Sequence, residues 1–254
     1  MENNKSTILA IDIGNSAIHW NYIAGGKIEE YHRNKHTELS LLPWDEVKAK
    51  NCPVVLAGML PHMNDAIETI TDEYKIKFIE INNSNQKIIK NTYPTMGIDR
   101  ILNLIGALNI LNPKSPMIVF DFGSATTITS CDQSGNFLGG SIKAGFELEL
   151  KGLSTLTFSL PHVSLAREQK VLKLNVLSQN TEDAILHGVI SGQIAFVSNC
   201  LNLFEKETGN KPKVVFTGGN SPIVAKFYKH YDLIDPLLTL KGIYHCYQNN
   251  LVHN

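Results

Sequence analysis

The chain has 254 residues, with 23 lysines and arginines against 24 aspartates and glutamates and a formal net charge of −1. Its 43% hydrophobic and 19% charged residues describe an ordinary globular chain, long enough for one large domain or two smaller ones with a core each. Near-neutral charge argues against a nucleic-acid partner held by bulk electrostatics, and no apolar run approaches the roughly 18–20 residues of a membrane span. The start, MENNKSTILAIDIG, lacks the basic, long-apolar and cleavage regions of a signal peptide, so the expected compartment is the cytoplasm. Cys52, Cys131, Cys200 and Cys246 are scattered without zinc spacing, as are the nine histidines, and read as structural or incidental.

In chain order, residues 6–12 (STILAID) predict an apolar strand ending in an acid. Gly14, Asn15 and Ser16 follow as a tight turn, then a second strand (AIHWNYI), a Gly25-Gly26 turn and a third strand from Lys27. Pro53–Ala57 predicts a buried strand, 62–74 a helix, Lys77–Ile81 a strand and 98–111 a helix. Asn112 to Pro116 is turn-rich and marks the expected boundary between a first half (1–114) and a second (115–254). The second half opens on the same pattern. Residues 116–121 (PMIVFD) are an apolar strand ending in an acid, followed by Gly123, Ser124 and Ala125, a strand (TTITSCD), a turn at Ser134-Gly135 and a strand from Asn136. Helices over 144–156 and 181–206, a strand at Lys213–Phe216, and helices over 221–229 and 239–250 around a short strand near 231–234 complete the chain. Aligning Asp12 with Asp121 gives an offset of 109 residues, which suits a duplicated domain rather than a solenoid. Strands alternating with helices make the class α/β.

The two acidic glycine turns are the first candidates for chemistry. A glycine after a strand lets backbone N–H groups approach a phosphate, and Asn15 and Ser16 offer further donors. Asp12 would repel a phosphate directly, but suits a Mg²⁺ that bridges phosphates. The same residues are common in plain hairpin turns. Two such turns at equivalent places of a duplicated domain point to a shared cleft between halves, where small-molecule sites form. Thr217-Gly218-Gly219-Asn220 is another strand-to-helix turn open to a phosphate or a flat ligand. Gly97-Ile98-Asp99-Arg100 opens a helix. There Asp99 reads either as a favourable partner of the helix dipole or as a base for an attacking hydroxyl. Arg100 reads either as a surface ion-pair partner or as a clamp for a carboxylate.

DIGNS, GIDR, DFGSATT, GGSIKAG and TGG, in this order and spacing, resemble the type III pantothenate kinases of the actin-like, sugar-kinase and Hsp70 superfamily. The resemblance implies two RNase H-like domains in tandem with an interdomain nucleotide cleft, and usually a homodimer. It implies ATP-dependent phosphorylation of pantothenate as the first step toward coenzyme A, with Mg²⁺ and a monovalent cation, K⁺ or NH₄⁺. Asp12, Ile13, Gly14, Asn15, Ser16, Ala17, Ile18 and His19 match the family's ATP-phosphate segment, and Ser124 an ATP contact. Gly97, Ile98, Asp99 and Arg100 match its pantothenate-binding segment, with Asp99 as proton acceptor. Asp121 matches the monovalent-cation ligand. Thr181 matches a substrate contact reached from the partner subunit, although a threonine before Glu-Asp also suits a helix N-cap. Ser16 and Ser124 stand where threonine is usual, and Lys143-Ala144-Gly145 where Pro-Gly is common. The Tyr93–Gly97 stretch is shorter than the family's. A kinase for another hydroxy acid or sugar, and a non-catalytic nucleotide-binding regulator, remain the alternatives on residues alone.

Overall fold

The apolar run expected at the start forms strand β1 (Ile8–Ile13) in the computed structural model, which describes residues 7–28, 30–170 and 173–252. Ser6, at the head of the expected strand, lies outside the described residues. Strand β2 (Ile18–Ala24) returns antiparallel, with Asp12 opposite His19 and Ile13 opposite Ile18. β3 (Lys27–Ile28) and β4 (His32–Asn34) both pair with β2, at its far and near ends. Helix α1 (Trp44–Ala49) then leads to β5 (Val54–Gly58), which lies parallel to β1. Helix α2 (Pro61–Tyr74) starts on a proline at its first position and ends on Lys75 in the left-handed region (φ 58°). β6 (Phe78–Glu80) lies parallel to β5, giving the order β3-β2-β1-β5-β6 with β4 beside β2.

Strand alternation decides which residues form each layer. Leu9, Ile11, Ile13, Ile18, Trp20, Val54 and Leu56 share one face and pack on Trp44, Val47, Met63 and Ile67 of α1 and α2. Against the other face lie α3 (Ile98–Leu111) and the last helix of the chain, residues 238–252. That last helix belongs to the first compact unit, which comprises residues 1–112, 135–137 and 237–254. The sequence reading gave it to the second half. A terminal amphipathic helix carries no mark of which core it joins, and contact with α3 settles the matter. Gly242 permits the approach, because a Cβ there would collide with the Leu102 carbonyl of α3.

The second unit comprises residues 113–134 and 138–236. Its strands are β7 (Met117–Phe122), β8 (Ala125–Cys131), β9 (Phe137–Ala144), β10 (Lys213–Thr217) and β11 (Leu233–Ile234), in the order β11-β10-β7-β8-β9. β10 runs parallel to β7, and β8 runs antiparallel to it, as the meander predicts. Helices α4 (Phe146–Leu156), α5 (Thr181–Thr208) and α6 (Ser221–Phe227) supply the rest of its core, which gathers Phe120, Phe122, Phe146, Leu186, Ile190 and Phe216. The last helix, 238–252, is α7.

Helix α5 corrects one expectation. An 18-residue window within its 28 residues has a mean hydropathy of 1.4, so by length and composition it is able to cross a membrane. Gly188, Ser191, Gly192 and Gln193 interrupt its apolar run without adding charge, so no unbroken apolar stretch marks it in the sequence. Ile185, Leu186, Val189, Ile190, Val197 and Phe204 on this helix are buried in the second core.

Replacing Gly242 with alanine should destabilise the fold by about 1–3 kcal/mol, as overpacking against backbone does. Gly152→Ala in α4, where a Cβ meets open space, should be neutral or stabilising by up to about 1 kcal/mol. Urea unfolding midpoints of the two variants check both.

Candidate active site

In the first unit, β1 delivers Asp12 one residue before the strand ends, and the chain turns at once. The Gly14 N–H donates to the Ala17 carbonyl (3.1 Å), which closes a hairpin whose tip, Asn15 and Ser16, is exposed. Ala17 and Ile18 are buried beneath it. A Cβ on Gly14 would come no closer than 3.7 Å to anything, so the turn faces open space. Two bonds brace it from outside. The Met59 N–H donates to the Ile13 carbonyl (2.9 Å), and His36 Nε2 donates to the Gly14 carbonyl (2.9 Å). The second brace fixes the histidine tautomer, since a carbonyl only accepts.

His19 stands opposite Asp12, and Tyr31 closes over it, with Tyr31 Oη 2.5 Å from His19 Nδ1 and the rings stacked at 5.7 Å. Burial, and then the nearby Arg33 charge, lower the His19 pKa from 6.5 to about 4. At neutral pH His19 is therefore an uncharged hydrogen-bonding group.

Asp99 sits in the first turn of α3, behind the cap residue Gly97. A Cβ on Gly97 would strike Asp99 Oδ1 and crowd the Met59 methyl at 3.1 Å, which explains the glycine of the GIDR motif. Asp99 Oδ1 accepts from the Arg100 N–H (2.8 Å). Burial raises the Asp99 pKa above the usual carboxylate range, and the Arg100 N–H and charge offset only part of that rise. A carboxylate so placed is a better base than one in water. Ile98 and Arg100 are buried (7% and 5% exposed), and Arg100 Nη1 donates to Tyr93 Oη (2.7 Å). Tyr93 in turn packs edge-on against Phe137. Met59 links the two places: its backbone holds the end of β1 and its side chain abuts Gly97.

The second unit repeats the device one residue tighter. The Gly123 N–H donates to the Ala125 carbonyl (3.1 Å), so only Ser124 stands at the tip. Asp121 lies between Thr127 of β8 and Thr217 of β10. The remaining glycine motifs converge here. Gly218, with φ 84°, has no room for a Cβ against the Asp121 carboxylate and the Phe122 backbone. Gly145 would meet the Gly123 and Ser124 carbonyls at 2.5 Å. The Asn220 N–H donates to the Phe122 carbonyl (3.0 Å) and the Gly145 N–H to the Ser124 carbonyl (3.2 Å). TGG and KAG thus support the Asp121 turn.

Gln193, fully buried on α5, is a residue that sequence reading missed. It accepts from Thr126 Oγ1 (2.9 Å) and donates to the Ala144 carbonyl (2.9 Å) and Glu149 Oε1 (2.7 Å), and Lys143 also bonds Glu149. A lone glutamine in a helical pattern gives no hint of this. Thr181 is exposed in the first turn of α5, but the cap is Asn180, whose side chain accepts from the Asp183 N–H (2.9 Å). The N-cap reading of Thr181 therefore moves by one residue.

Among the described residues no three His, Cys, Asp or Glu side chains cluster as a metal site. Mg²⁺ held mainly by substrate phosphates and water needs only one or two carboxylates, and Asp12 beside an open turn meets that need. Asp121, flanked by threonines and backbone carbonyls, offers the hard oxygen donors that suit an alkali cation.

Residues 8–202 match the model of a family described as type III pantothenate kinase. Among solved structures, a conserved protein assigned to the Baf family of transcriptional activators from Campylobacter jejuni is 21% identical, with a TM-score of 0.63 over 97% of this chain and 100% of that one. The activator of 2-hydroxyisocaproyl-CoA dehydratase from Clostridium difficile, with bound ADPNP, is 12% identical, with a TM-score of 0.53 over 97% and 96% of the two chains. MreB5 of Spiroplasma citri bound to ADP is 11% identical, with a TM-score of 0.54 over 99% of each chain. At these identities the likenesses speak to fold alone, and the fold is the α/β, two-unit actin-like type that the sequence predicts.

The His19 shift has a consequence for stability. The unfolded chain takes up this proton near pH 6.5, the folded chain only near pH 4. Stability is therefore lost as pH falls through that window, by up to about 3 kcal/mol from this residue. His19→Asn should narrow the gap between unfolding midpoints in urea at about pH 7 and about pH 5. An unchanged gap would show that His19 titrates normally.

Proposed function

This chain belongs to the type III pantothenate kinase family, and from that premise we propose that it transfers the terminal phosphoryl group of ATP to the primary hydroxyl of pantothenate. ATP-dependent phosphoryl transfer is the family's chemistry. The observation that carries the proposal is Asp99, a half-buried carboxylate of raised pKa at the opening of α3, set in the GIDR motif.

Phosphoryl transfer asks mainly for positioning and charge stabilisation. Asp12 to His19 receive the phosphates on the open side of the first turn, and the Ser124 hydroxyl at the tip of the second turn is the ATP contact that the family resemblance implies. Asp99 Oδ1 is already engaged by the Arg100 N–H, which leaves Oδ2 to accept the proton of the attacking hydroxyl. A new O–P bond forms as the bond from the terminal phosphorus to ADP breaks, and the proton stays on Asp99. Arg100 supplies positive charge for the acceptor's carboxylate, with Tyr93 bonded to its Nη1. Asp12 would hold Mg²⁺, which would neutralise phosphate charge, and Asp121 would hold the monovalent cation, K⁺ or NH₄⁺.

The homodimer that the family resemblance implies finds support in the second unit's exposed apolar side chains. Leu156, Phe158 and Leu177 are 86%, 109% and 89% exposed. Thr181, exposed in the first turn of α5, would serve a site on a second copy, as the family resemblance implies.

Purified protein with ATP, Mg²⁺ and pantothenate should yield ADP and 4′-phosphopantothenate by mass spectrometry, with more product when potassium is added. ADP release with sugars or other hydroxy acids but not with pantothenate would sink the acceptor assignment. Asp99→Asn should keep the fold and lower turnover by ~10²–10⁴-fold, the span for loss of a general base. Because burial raises the Asp99 pKa, the acid limb of kcat/KM should lie above the ordinary carboxylate range and vanish in Asp99→Asn. A wild-type profile flat down to pH 4 would remove Asp99 as the base.

A further inference from the structure

Residues 31–36 (YHRNKH) carry no motif, yet they wall one side of the first turn. Tyr31 bonds His19, His32 stacks on Trp20 at 4.0 Å, and His36 holds the Gly14 carbonyl. Trp20 also donates from Nε1 to Asn34 Oδ1 (2.8 Å). Strand alternation places His32 and Asn34 on the core-facing side of β4 with Trp20, and Arg33 on the opposite side.

Register then puts Arg33 in a particular row. Asp12 pairs with His19 across β1 and β2, and His19 pairs with Arg33 across β2 and β4. Directly paired residues project from the same face of a sheet. Asp12, His19 and Arg33 therefore stand side by side on one face, at the end of the sheet where the Gly14 turn lies. Adjacent strands are about 4.8 Å apart, so the row spans about 10 Å. An arginine side chain and a triphosphate are each long enough to cover much of that distance. Exposure grows along the row: Asp12 and His19 are half-buried, and Arg33 is exposed. The field of Arg33 reaches both His19 and the Tyr31 hydroxyl, and that of Asp12 also reaches Tyr31. His19 Nδ1 is engaged by Tyr31, so the guanidinium is the group on this row that brings a fixed positive charge.

We propose that Arg33 is a phosphate-binding residue of the first unit, its planar guanidinium gripping the nucleotide's phosphate oxygens beside the Asp12–Ser16 turn. This deepens the kinase reading and rests on it. The chemistry is general: a fixed, always-charged fork matches two phosphate oxygens, and charge-assisted bonds of this kind are the strong ones. The Tyr31–His19, His32–Trp20 and His36–Gly14 contacts hold β4 rigidly, so the fork is presented from a strand.

The test is direct binding of ATP to the full chain by calorimetry, with no acceptor present, followed by steady-state kinetics. Arg33→Ala should weaken ATP binding roughly 10- to 100-fold, the loss expected for one hydrogen-bonded charge. It should raise KM for ATP while leaving KM for pantothenate as in the wild type. Arg33→Lys should recover part of the affinity, since it keeps the charge and loses the fork. Arg33→Gln, which keeps polarity alone, should behave like alanine. Arg33 is exposed, so the melting temperature should hold in all three. Wild-type affinity for ATP in Arg33→Ala, or an equal rise in both KM values, would overturn the proposal. Because ATP binding is measured without acceptor, failure of the pantothenate assignment leaves this result standing. A wild-type chain that binds no ATP would end both readings.

Discussion

A carboxylate one place from the end of a buried strand, with the chain turning away immediately after it, is the constraint around which each unit is built. Asp12 follows Ile8 to Ile11, all fully buried, and Asp121 follows Met117 to Phe120, buried to within 2%. Neighbouring strands on both sides fix each acid in register, Asp12 between Ala57 and His19, Asp121 between Thr127 and Thr217. Neither acid can slide without turning the apolar residues before it to the wrong face. The sheet therefore determines where the negative charge stands, and the hairpin determines which backbone N–H groups stand beside it. The donors beside each acid are therefore held by the sheet rather than by a long loop.

The supports around the two turns differ in kind. In the first unit they come from side chains and a neighbouring strand end: His36 on the Gly14 carbonyl, Tyr31 on His19, and Met59 between β1 and α3. In the second they come from backbone packed on backbone, with Gly145 and Gly218 against residues 121–124, and from the buried Gln193 network behind. The second hairpin is also one residue shorter. The two turns thus share an acid and a glycine but stand in different surroundings.

Much of the element order was legible because the signals are local. Alternating apolar residues before Asp12 and Asp121, proline at the start of α2 and α6, and helical spacing over 98–111 each report within a few residues of themselves. The glycine motifs were legible as turns, but their purpose was not. Gly218 is required by the Asp121 carboxylate, 97 residues earlier in the chain, and Gly97 by its own neighbour Asp99 together with Met59. Arg33, His36 and Gln193 left no mark at all, since a lone polar residue reads alike whether it faces water or braces a turn. Helix α5 is long and apolar enough by composition to cross a membrane, a property that broken apolar runs concealed, yet its apolar residues are buried in the second core.

The sequence by itself determined the α/β class, the duplicated meander, the positions of Asp12, Asp99 and Asp121 within their elements, and through the ordered motifs the kinase family. Those properties follow from periodicity and turn chemistry, which act over a handful of neighbouring residues. Only the tertiary structure decided that α7 joins the first unit, that Asp99 is buried enough for its pKa to rise, and that Asp12, His19 and Arg33 share one row. Burial and cross-strand register depend on residues far apart in the chain, and no local pattern records which distant segment comes to lie alongside.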